Sequence, residues 1–148
     1  MYIREANTED ITDLCKLLDY LFEQEEEFKP KEKLQRLGLQ KILENSEKGV
    51  ILILISENKI IGMVNLLFTV STALGANVAI LEDMVVLPTE RHKGYGSKLL
   101  KSAIEYANKK ECKRITLLTD SSNKAAQKFY NQHGFVHSPM QIMRYLPN

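Results

Sequence analysis

The sequence predicts one mixed α/β domain, with a central sheet flanked by about four helices. Helix-like and strand-like apolar patterns are mixed along the 148 residues instead of being segregated. Two strand-like runs, residues 50–55 and 60–70, are separated by a short polar connection, which predicts an antiparallel hairpin. Further along, an amphipathic run lies between two strand-like runs, which predicts a crossover connection. The sheet should therefore be mixed and largely antiparallel.

The first third of the chain predicts a short strand and two helices. Residues 2–6 form the strand, and Asn7 or Thr8 is suited to cap the helix that follows. Apolar residues recur at helical spacing between residues 11 and 22 and give that helix one apolar face. The next proline ends this pattern or opens a second, weaker helix over residues 34–43.

The middle third predicts three strands, and the last of them contains two carboxylates. Residues 50–55 are rich in β-branched side chains and apolar on both faces, as in a central strand. Asn58, in the connection to the next strand, can adopt a left-handed backbone conformation. Residues 78–87 form the third of these strands, the fourth in the chain. Glu82 and Asp83 interrupt its otherwise apolar run, and this local conflict points to a function.

The last third predicts a helix, a short strand, a second helix and one or two extended segments. Ser121 or Ser122 is placed to cap the second of these helices, Asn123 could equally be its cap, and Gly134 is placed to end it. Apolar residues form a stripe at helical spacing in the first helix. The predicted ranges are residues 94–110, 114–119, 121–134 and 135–146.

Composition limits the class of protein. Hydrophobic residues make up 44% and charged residues 26% of the chain, which is typical of a globular protein. The net charge of +1 gives no reason to expect a nucleic-acid partner. The two cysteines, Cys15 and Cys112, suggest free thiols in a reducing compartment. The longest apolar run, residues 50–55, is too short to span a bilayer. We therefore expect a cytoplasmic protein with no membrane partner and with no apolar leader segment.

A glycine-containing loop of the form Arg91-x-x-Gly94-x-Gly96 joins the fourth strand to the amphipathic helix. A loop at a helix start presents several unpaired backbone N–H groups together with the positive end of the helix dipole. This arrangement favours an anion, most often a phosphate. The spacing differs from that of a Walker A motif and from the dinucleotide fingerprint with its three glycines. We therefore predict that the loop holds a pyrophosphate.

A second group of residues follows the fifth predicted strand. It consists of the segment 123–130, which contains Asn123 and Tyr130, and of Gly134-Phe135. Together with the N-terminal strand, the strand that carries the two carboxylates and the glycine loop, this group resembles the GNAT superfamily of acyl-CoA-dependent N-acetyltransferases. The resemblance covers most of the chain. It rests on the order and spacing of these blocks, which are specific to the superfamily and not to any one member.

The resemblance implies that acetyl-CoA is the co-substrate and that no metal is needed. It also implies a sheet that is splayed open between the fourth and fifth strands, with the pantetheine arm of CoA in the gap like an extra strand. Backbone groups of Met84, Val85 and Val86 would pair with that arm. The other implied CoA-binding residues are Arg91, His92, Lys93, Gly94, Tyr95, Gly96, Ser97, Asn123, Ala126 and Phe129.

The resemblance also implies the catalytic groups. Tyr130 would give its proton to the CoA thiolate, since a phenol with a pKa of about 10 is suited to protonate a thiolate as charge develops on it. Glu82 would act as a base or position a water, with Asp83 as its rival. Side chains alternate along a strand, so only one of these two should face the site unless a bulge intervenes. A backbone N–H near Val85 would polarise the thioester oxygen.

In similar enzymes the acceptor site is built largely from the first helices and their connection. Here that region contains four glutamates and two phenylalanines. An acidic, partly aromatic rim would attract a cationic amine, either a small molecule or a peptide amine, although a charge run is usually only a solvated helix face. These residues are Phe22, Glu23, Glu25, Glu26, Glu27 and Phe28.

Three functions are compatible with the sequence. The first is an N-acetyltransferase that moves the acetyl group of acetyl-CoA to a primary amine by direct attack in a ternary complex. The second is a non-catalytic module that binds or senses acyl-CoA, against which Tyr130 and Glu82 argue. The third is a nucleotide-phosphate binder that uses the same loop. The sequence is compatible with a monomer or a homodimer.

Overall fold

The structure is a computed structural model that describes residues 1–25 and 27–148. Within those residues it contains five strands and four helices around a mixed sheet, and this confirms the predicted fold class. The strands are β1 (Tyr2–Glu5), β2 (Gly49–Ser56), β3 (Lys59–Ser71), β4 (Ala76–Val86) and β5 (Ile115–Leu117). The helices are α1 (Ile11–Gln24), α2 (Glu32–Leu43), α3 (Tyr95–Lys109) and α4 (Lys124–Gln132), with 3-10 turns at Thr8–Asp10 and Pro88–Glu90.

The chain divides into two compact units. The sheet unit, Met1–Leu118, contains all five strands and the helices α1, α2 and α3. The C-terminal unit, Thr119–Asn148, contains α4. None of the helices in residues 1–25 and 27–148 has the length and apolar character needed to cross a membrane.

The sheet has the order β1-β2-β3-β4-β5. Each neighbouring pair is antiparallel except β4 and β5, which run parallel. The parallel pairing joins only Ala79, Ile80 and Leu81 to β5, while β4 continues to Val86. In the described part of the chain, the second half of β4 therefore has no strand partner on its β5 side, which matches the predicted opening between these strands.

Helices cover both faces of the sheet. Leu14 and Leu17 of α1 are buried in one apolar cluster with Ile53 of β2 and Met63 of β3. The neighbouring position in β3, Gly62, faces the other way, because a Cβ built there would contact Leu99 of α3. Burying each large aliphatic side chain contributes about 1.5–3 kcal/mol. The alternation of β3 thus fixes α1 and α3 on opposite faces.

The hairpin between β2 and β3 confirms the predicted connection. Glu57 and Asn58 both have left-handed backbone angles, with φ of 50° and 63°. Two consecutive left-handed residues are the requirement of a type I′ turn, whose twist suits a two-residue hairpin. The sequence predicted the left-handed conformation at Asn58 but not at Glu57.

The structure decides two points that the sequence left open in the C-terminal unit. The cap of α4 is Asn123 and not Ser121 or Ser122, since the Asn123 side-chain oxygen accepts a hydrogen bond from the backbone N–H of Ala126 at 3.0 Å. Residues 135–146 contain no strand. A strand exists only through hydrogen bonds to a neighbouring strand, and the amino-acid preferences of an extended segment cannot supply that neighbour.

Asp10 ties the first strand to the start of α1. The guanidinium of Arg4 donates to both of its carboxylate oxygens at 2.9 and 3.0 Å, and the backbone N–H of Asn7 donates to one of them at 2.8 Å. The hydrogen bond from Arg4 is the largest cause that lowers the pKa of Asp10 below its usual value. Since the charged form is favoured by folding, this cluster stabilises the fold.

We expect Asp10→Asn to lower the free energy of unfolding at pH 7 by about 1–2 kcal/mol, a charged hydrogen-bond value reduced for the partial exposure of Arg4. A depressed folded pKa stabilises the protein above the unfolded pKa, and this stabilisation is lost as the pH falls through the folded pKa. The difference between the wild type and the variant should therefore shrink below a pH of about 4. Urea unfolding from pH 2 to pH 7 measures it.

The matched control is Asp13→Asn in α1, because Asp13 is exposed and lies 3.7 Å from Lys16. Its effect should stay within about 0.5 kcal/mol. Equal losses for the two variants across the whole pH range would contradict the role of Asp10.

Candidate active site

A bulge interrupts β4 at the two carboxylates. Asn65 of β3 pairs with Glu82, whereas Met63 pairs with Val85, so β4 has one more residue than β3 over this stretch. Asp83 has a left-handed backbone angle, with φ of 53°. The extra residue bends the strand and breaks its alternation. The bulge that the sequence analysis allowed for is therefore present, directly at the predicted site.

Asp83 is bound to a buried amide of the neighbouring strand. Asn65 Nδ2 donates a hydrogen bond to Asp83 Oδ2 at 2.5 Å. The Asn65 side chain is almost fully buried, with 1% of the residue exposed. Its amide oxygen, Oδ1, is buried and has no hydrogen-bond partner in the part of the chain that the structure describes. A buried acceptor without a partner is costly, so this atom marks a place where a donor is missing.

Asp83 lies in an environment that disfavours its charge. Burial, which is the largest cause, raises its pKa to about 7, and the negative charges of Glu82 and Glu25 act in the same direction. The hydrogen bond from Asn65 favours the carboxylate and opposes this shift. Glu82 itself is exposed. A carboxylate with a pKa near 7 can both lose and accept a proton at neutral pH.

The edge of β4 beyond the bulge presents backbone groups to the opening of the sheet. On one side, Val85 pairs with Met63 and Val86 pairs with Gly62. On the other side, β5 reaches only to the partner of Leu81. In the described residues no strand covers Met84, Val85 and Val86 on that side, so the backbone groups of β4 that point toward it have no strand partner.

The glycine loop follows β4 and leads into α3. Its backbone turns through left-handed conformations at His92, with φ of 64°, and at Gly94, with φ of 80°. Gly94 is the N-cap of α3, and the first helical hydrogen bond is donated by Lys98 to its carbonyl at 3.2 Å. The N–H groups of the first turn have no partner within the helix. These groups are contributed by Tyr95, Gly96 and Ser97, and they lie at the positive end of the helix dipole, where the sequence predicts the anion.

The two basic side chains of the loop have partners within the chain. Arg91 Nε donates to the carbonyl of Val86 at 3.1 Å. When the Gln24 amide oxygen faces the guanidinium, it accepts from both terminal nitrogens of Arg91 at 2.9 and 3.1 Å. Lys93 is paired with Glu90 at 2.8 Å. Arg91 thus links α1, the end of β4 and the loop, and the backbone supplies the donors that are free to bind an anion.

The predicted acceptor rim is only partly at the carboxylates. Glu25 lies near enough to Asp83 for its charge to affect the Asp83 pKa. Phe22 and Phe28 pack against each other with ring centroids 6.1 Å apart. Glu23 and Glu27 are exposed, and Glu26 lies outside the described residues.

The C-terminal unit contains the predicted Tyr130. Its ring makes edge-to-face contacts with Phe129 and Phe135, at centroid distances of 5.2 and 5.7 Å. Burial raises the pKa of Tyr130 to about 12, which keeps the phenol protonated at neutral pH. Asn123 and Ala126 of the same unit are joined by the cap of α4. Gly134, with φ of 91°, follows the end of α4 as predicted.

The structure thus brings Glu82, Asp83, the β5-side edge of β4 and the glycine loop together in the sheet unit. Sequence analysis missed two residues that support this arrangement, Asn65 and Gln24. Asn65 had a detectable signal, because it is the only polar residue between Ile60 and Phe68 in a strand that is otherwise apolar. Nothing in the sequence pointed to Gln24, because its partner, Arg91, is distant in sequence. No group of three or more histidine, cysteine, aspartate or glutamate side chains in residues 1–25 and 27–148 could hold a metal ion.

Comparison with known proteins agrees with these features. The model of the acetyltransferase (GNAT) family matches residues 13–135. The chain is 36% identical over 138 residues to an uncharacterized N-acetyltransferase, YhfO, of Bacillus subtilis, covering 91% of this chain and 89% of that protein. A GNAT family acetyltransferase of Staphylococcus aureus has a TM-score of 0.77 at 28% identity, with 98% of both chains covered. An aminoglycoside N-acetyltransferase in complex with CoA has a TM-score of 0.81 at 19% identity, and the match covers 98% of this chain and 93% of that chain.

We expect Gly94→Ala to weaken CoA binding about tenfold or more. The left-handed φ of Gly94 is strained for alanine by roughly 1–2 kcal/mol, which lowers the population of the binding loop conformation. Isothermal titration calorimetry with CoA measures the change.

Gly75 is a matched control, because it also has a positive φ of 61° and open space around a built Cβ. Gly75→Ala should lower stability by a similar amount and leave CoA affinity unchanged. If both variants bound CoA as tightly as the wild type, the anion site would not be at this loop.

Proposed function

The chain belongs to the GNAT family of acetyltransferases, and we propose that it transfers the acetyl group of acetyl-CoA to a cationic primary amine. In this proposal, residues 1–148 act as one acetyltransferase domain, as the sequence analysis predicted. The observation that carries it is the arrangement along β4. The bulge with its two carboxylates lies at one end of the β5-side strand edge, and the anion-binding loop follows the other end.

The arrangement along β4 suits the linear shape of acetyl-CoA. About 10 Å of strand separates Asp83 from Val86, at 3.3 Å per residue. The pantetheine amides would pair with the backbone of Met84, Val85 and Val86, and the pyrophosphate would bind the first turn of α3. The acetyl thioester would then lie near the bulge. Lys93 can contribute to the pyrophosphate only by leaving its ion pair with Glu90.

The C-terminal unit contains the remaining residues that the sequence predicts to contact CoA. The cap of α4 uses only the oxygen of the Asn123 side chain, so its amide nitrogen can donate to the CoA arm. Ala126 and Phe129 complete the predicted CoA surface. Tyr130 would protonate the departing thiolate, since its phenol carries its proton at neutral pH.

The reaction would proceed by direct attack within a ternary complex. The acceptor ammonium loses a proton to a carboxylate at the bulge, either Glu82 or Asp83. The neutral nitrogen forms a bond to the thioester carbon while a backbone N–H near Val85 stabilises the oxyanion. The C–S bond then breaks with its electron pair on sulfur, and the thiolate takes a proton from Tyr130. The nitrogen gives up its second proton, and the Tyr130 phenol regains a proton from solvent. The products are an N-acetyl amine and CoA.

The charges near the bulge favour an acceptor that is positively charged. Glu25, Glu82 and Asp83 contribute negative charge to one region of the sheet unit. Phe22 and Phe28 provide aromatic surface from the end of α1 and the segment that follows it. A primary ammonium is attracted to carboxylates and to aromatic faces. The structural neighbour that acts on aminoglycosides supports an amine acceptor of this chemical class.

An acetyl-CoA turnover assay tests the proposed function. We expect thiol release that depends on an added primary amine and is faster with diamines than with uncharged amines of similar size. Binding of acetyl-CoA without thiol release from any amine would favour a non-catalytic sensing module. Binding of ATP in preference to CoA would contradict the family-based proposal.

The same assay examines Tyr130 with a matched control. Tyr130→Phe should lower kcat by about tenfold to a thousandfold with little change in acetyl-CoA affinity, because only proton transfer is lost. Tyr145→Phe should leave kcat unchanged, since Tyr145 is 87% exposed. Weaker acetyl-CoA binding at an unchanged kcat would show that Tyr130 is a binding residue instead.

A further inference from the structure

The strained and half-buried carboxylate at the bulge is more than the fold requires. Asp83 combines a left-handed backbone with a titratable side chain in an otherwise apolar strand. Each of these features costs stability, and the surrounding structure has to hold them in place. Backbone strain and a titratable group shielded from water are typical of functional sites.

We propose that Asp83, and not Glu82, is the catalytic base that takes the proton from the acceptor ammonium, and that Asn65 is the positioning residue that holds the Asp83 carboxylate. This inference rests on the proposed acetyl transfer and assigns a residue to one of its steps.

The geometry separates the two carboxylates. Asp83 is fixed by the Asn65 hydrogen bond at 2.5 Å to one oxygen, Oδ2. The other oxygen, Oδ1, is thereby left to accept the proton. Glu82 is exposed, and among the described residues no hydrogen bond fixes its side chain. A base is effective when it is held within hydrogen-bond reach of the proton that it abstracts, and Asp83 is the carboxylate that is held.

The charges around Asp83 make it the stronger base. Within residues 1–25 and 27–148, the charged groups that act on it are Glu82 from its own strand and Glu25 from the segment after α1, and both are carboxylates. Burial and these charges raise the Asp83 pKa to about 7. An amine has a pKa of about 10.4 and an ordinary aspartate about 3.9. Proton transfer is therefore less unfavourable by about three powers of ten than it is to an ordinary aspartate.

Asn65 also presents the atom that lacks a partner. Its Oδ1 belongs to the same amide group that binds Asp83, and it is buried without a hydrogen bond in the described structure. Because this oxygen is buried, an acceptor does not reach it, and Asn65 acts on the reaction only by holding the Asp83 carboxylate through Nδ2.

The proton balance of the step is simple. The acceptor R–NH3+ gives one proton to the Asp83 carboxylate and becomes R–NH2, which attacks the thioester of acetyl-CoA. The nitrogen loses a second proton to solvent when the C–N bond has formed. The C–S bond breaks with its electron pair on sulfur, and the thiolate is protonated. Asp83 returns its proton to solvent before the next turnover.

The test is the pH dependence of kcat/KM for the wild type and three variants. The wild type should lose activity as the pH falls through about 7, because the base must be ionised. This loss of activity is the acidic limb of the pH profile. Asp83→Asn should lower kcat/KM at least a hundredfold and remove the acidic limb.

The two neighbouring variants should shift the limb in opposite directions. Asn65→Leu removes a hydrogen bond that favours the carboxylate, so the Asp83 pKa rises and the limb moves to higher pH. Glu82→Gln removes a negative charge that disfavours the Asp83 carboxylate, so the Asp83 pKa falls. The acidic limb should then remain present but move to lower pH. A purely structural role for Asn65 would lower activity without moving the limb.

A second readout does not depend on turnover. Carboxyl carbon NMR of the wild-type protein with labelled aspartate should show one aspartate that titrates near pH 7, and this signal should be absent in Asp83→Asn. Circular dichroism of each variant checks that it is folded.

The outcomes separate this inference from the proposed function. If Glu82→Gln abolished the limb while Asp83→Asn kept it, Glu82 would be the base and the inference would be wrong, although acetyl transfer would stand. If no aspartate titrated between about pH 5.5 and 8.5, the inference would likewise be overturned. If the wild type released no thiol with any amine, the proposed function would fail, whatever the titration showed.

Discussion

The arrangement of the candidate site depends on β4, which pairs with a different strand on each of its two sides. β4 pairs with β3 along most of its length, but it pairs with β5 only as far as Leu81. Beyond that point its backbone groups on the β5 side have no strand partner among the described residues. Unpaired backbone groups in the interior of a sheet are costly unless another partner satisfies them. A ligand with amide groups along its length can act as that partner, and the pantetheine arm of CoA has them.

The packing around β4 holds both ends of this opening in place. At one end, α1 covers the sheet through a core that includes Leu14 and Val85, which fixes the position of the bulge. At the other end, Arg91 binds the carbonyl of Val86 and the side chain of Gln24. The same residue therefore connects the end of α1 to the glycine loop. The region proposed for the acceptor and the loop proposed for the pyrophosphate are thus joined within one compact unit.

The parts of the fold that depend on local sequence could be predicted, and those that depend on register could not. The spacing of apolar residues predicted α1 and α3. The turn residues near Asn58 predicted the hairpin. The bulge at Asp83 depends on which β3 residues lie opposite β4, and no local window contains that information. For the same reason the Asn65 partner and the Arg91 contacts appeared only in the structure. The extended segments predicted over residues 135–146 form no strand in the structure, since an extended pattern does not specify a strand partner.

The central claim is that acetyl-CoA lies along β4, with its thioester at the bulge and its pyrophosphate at the start of α3. A crystal structure of the chain with bound CoA tests it most directly. We expect the pantetheine amides to be hydrogen-bonded to the β4 backbone between Met84 and Val86. The pyrophosphate oxygens should lie within hydrogen-bond distance of backbone N–H groups between Gly94 and Ser97. CoA bound elsewhere, or with its pantetheine arm away from β4, would contradict the account.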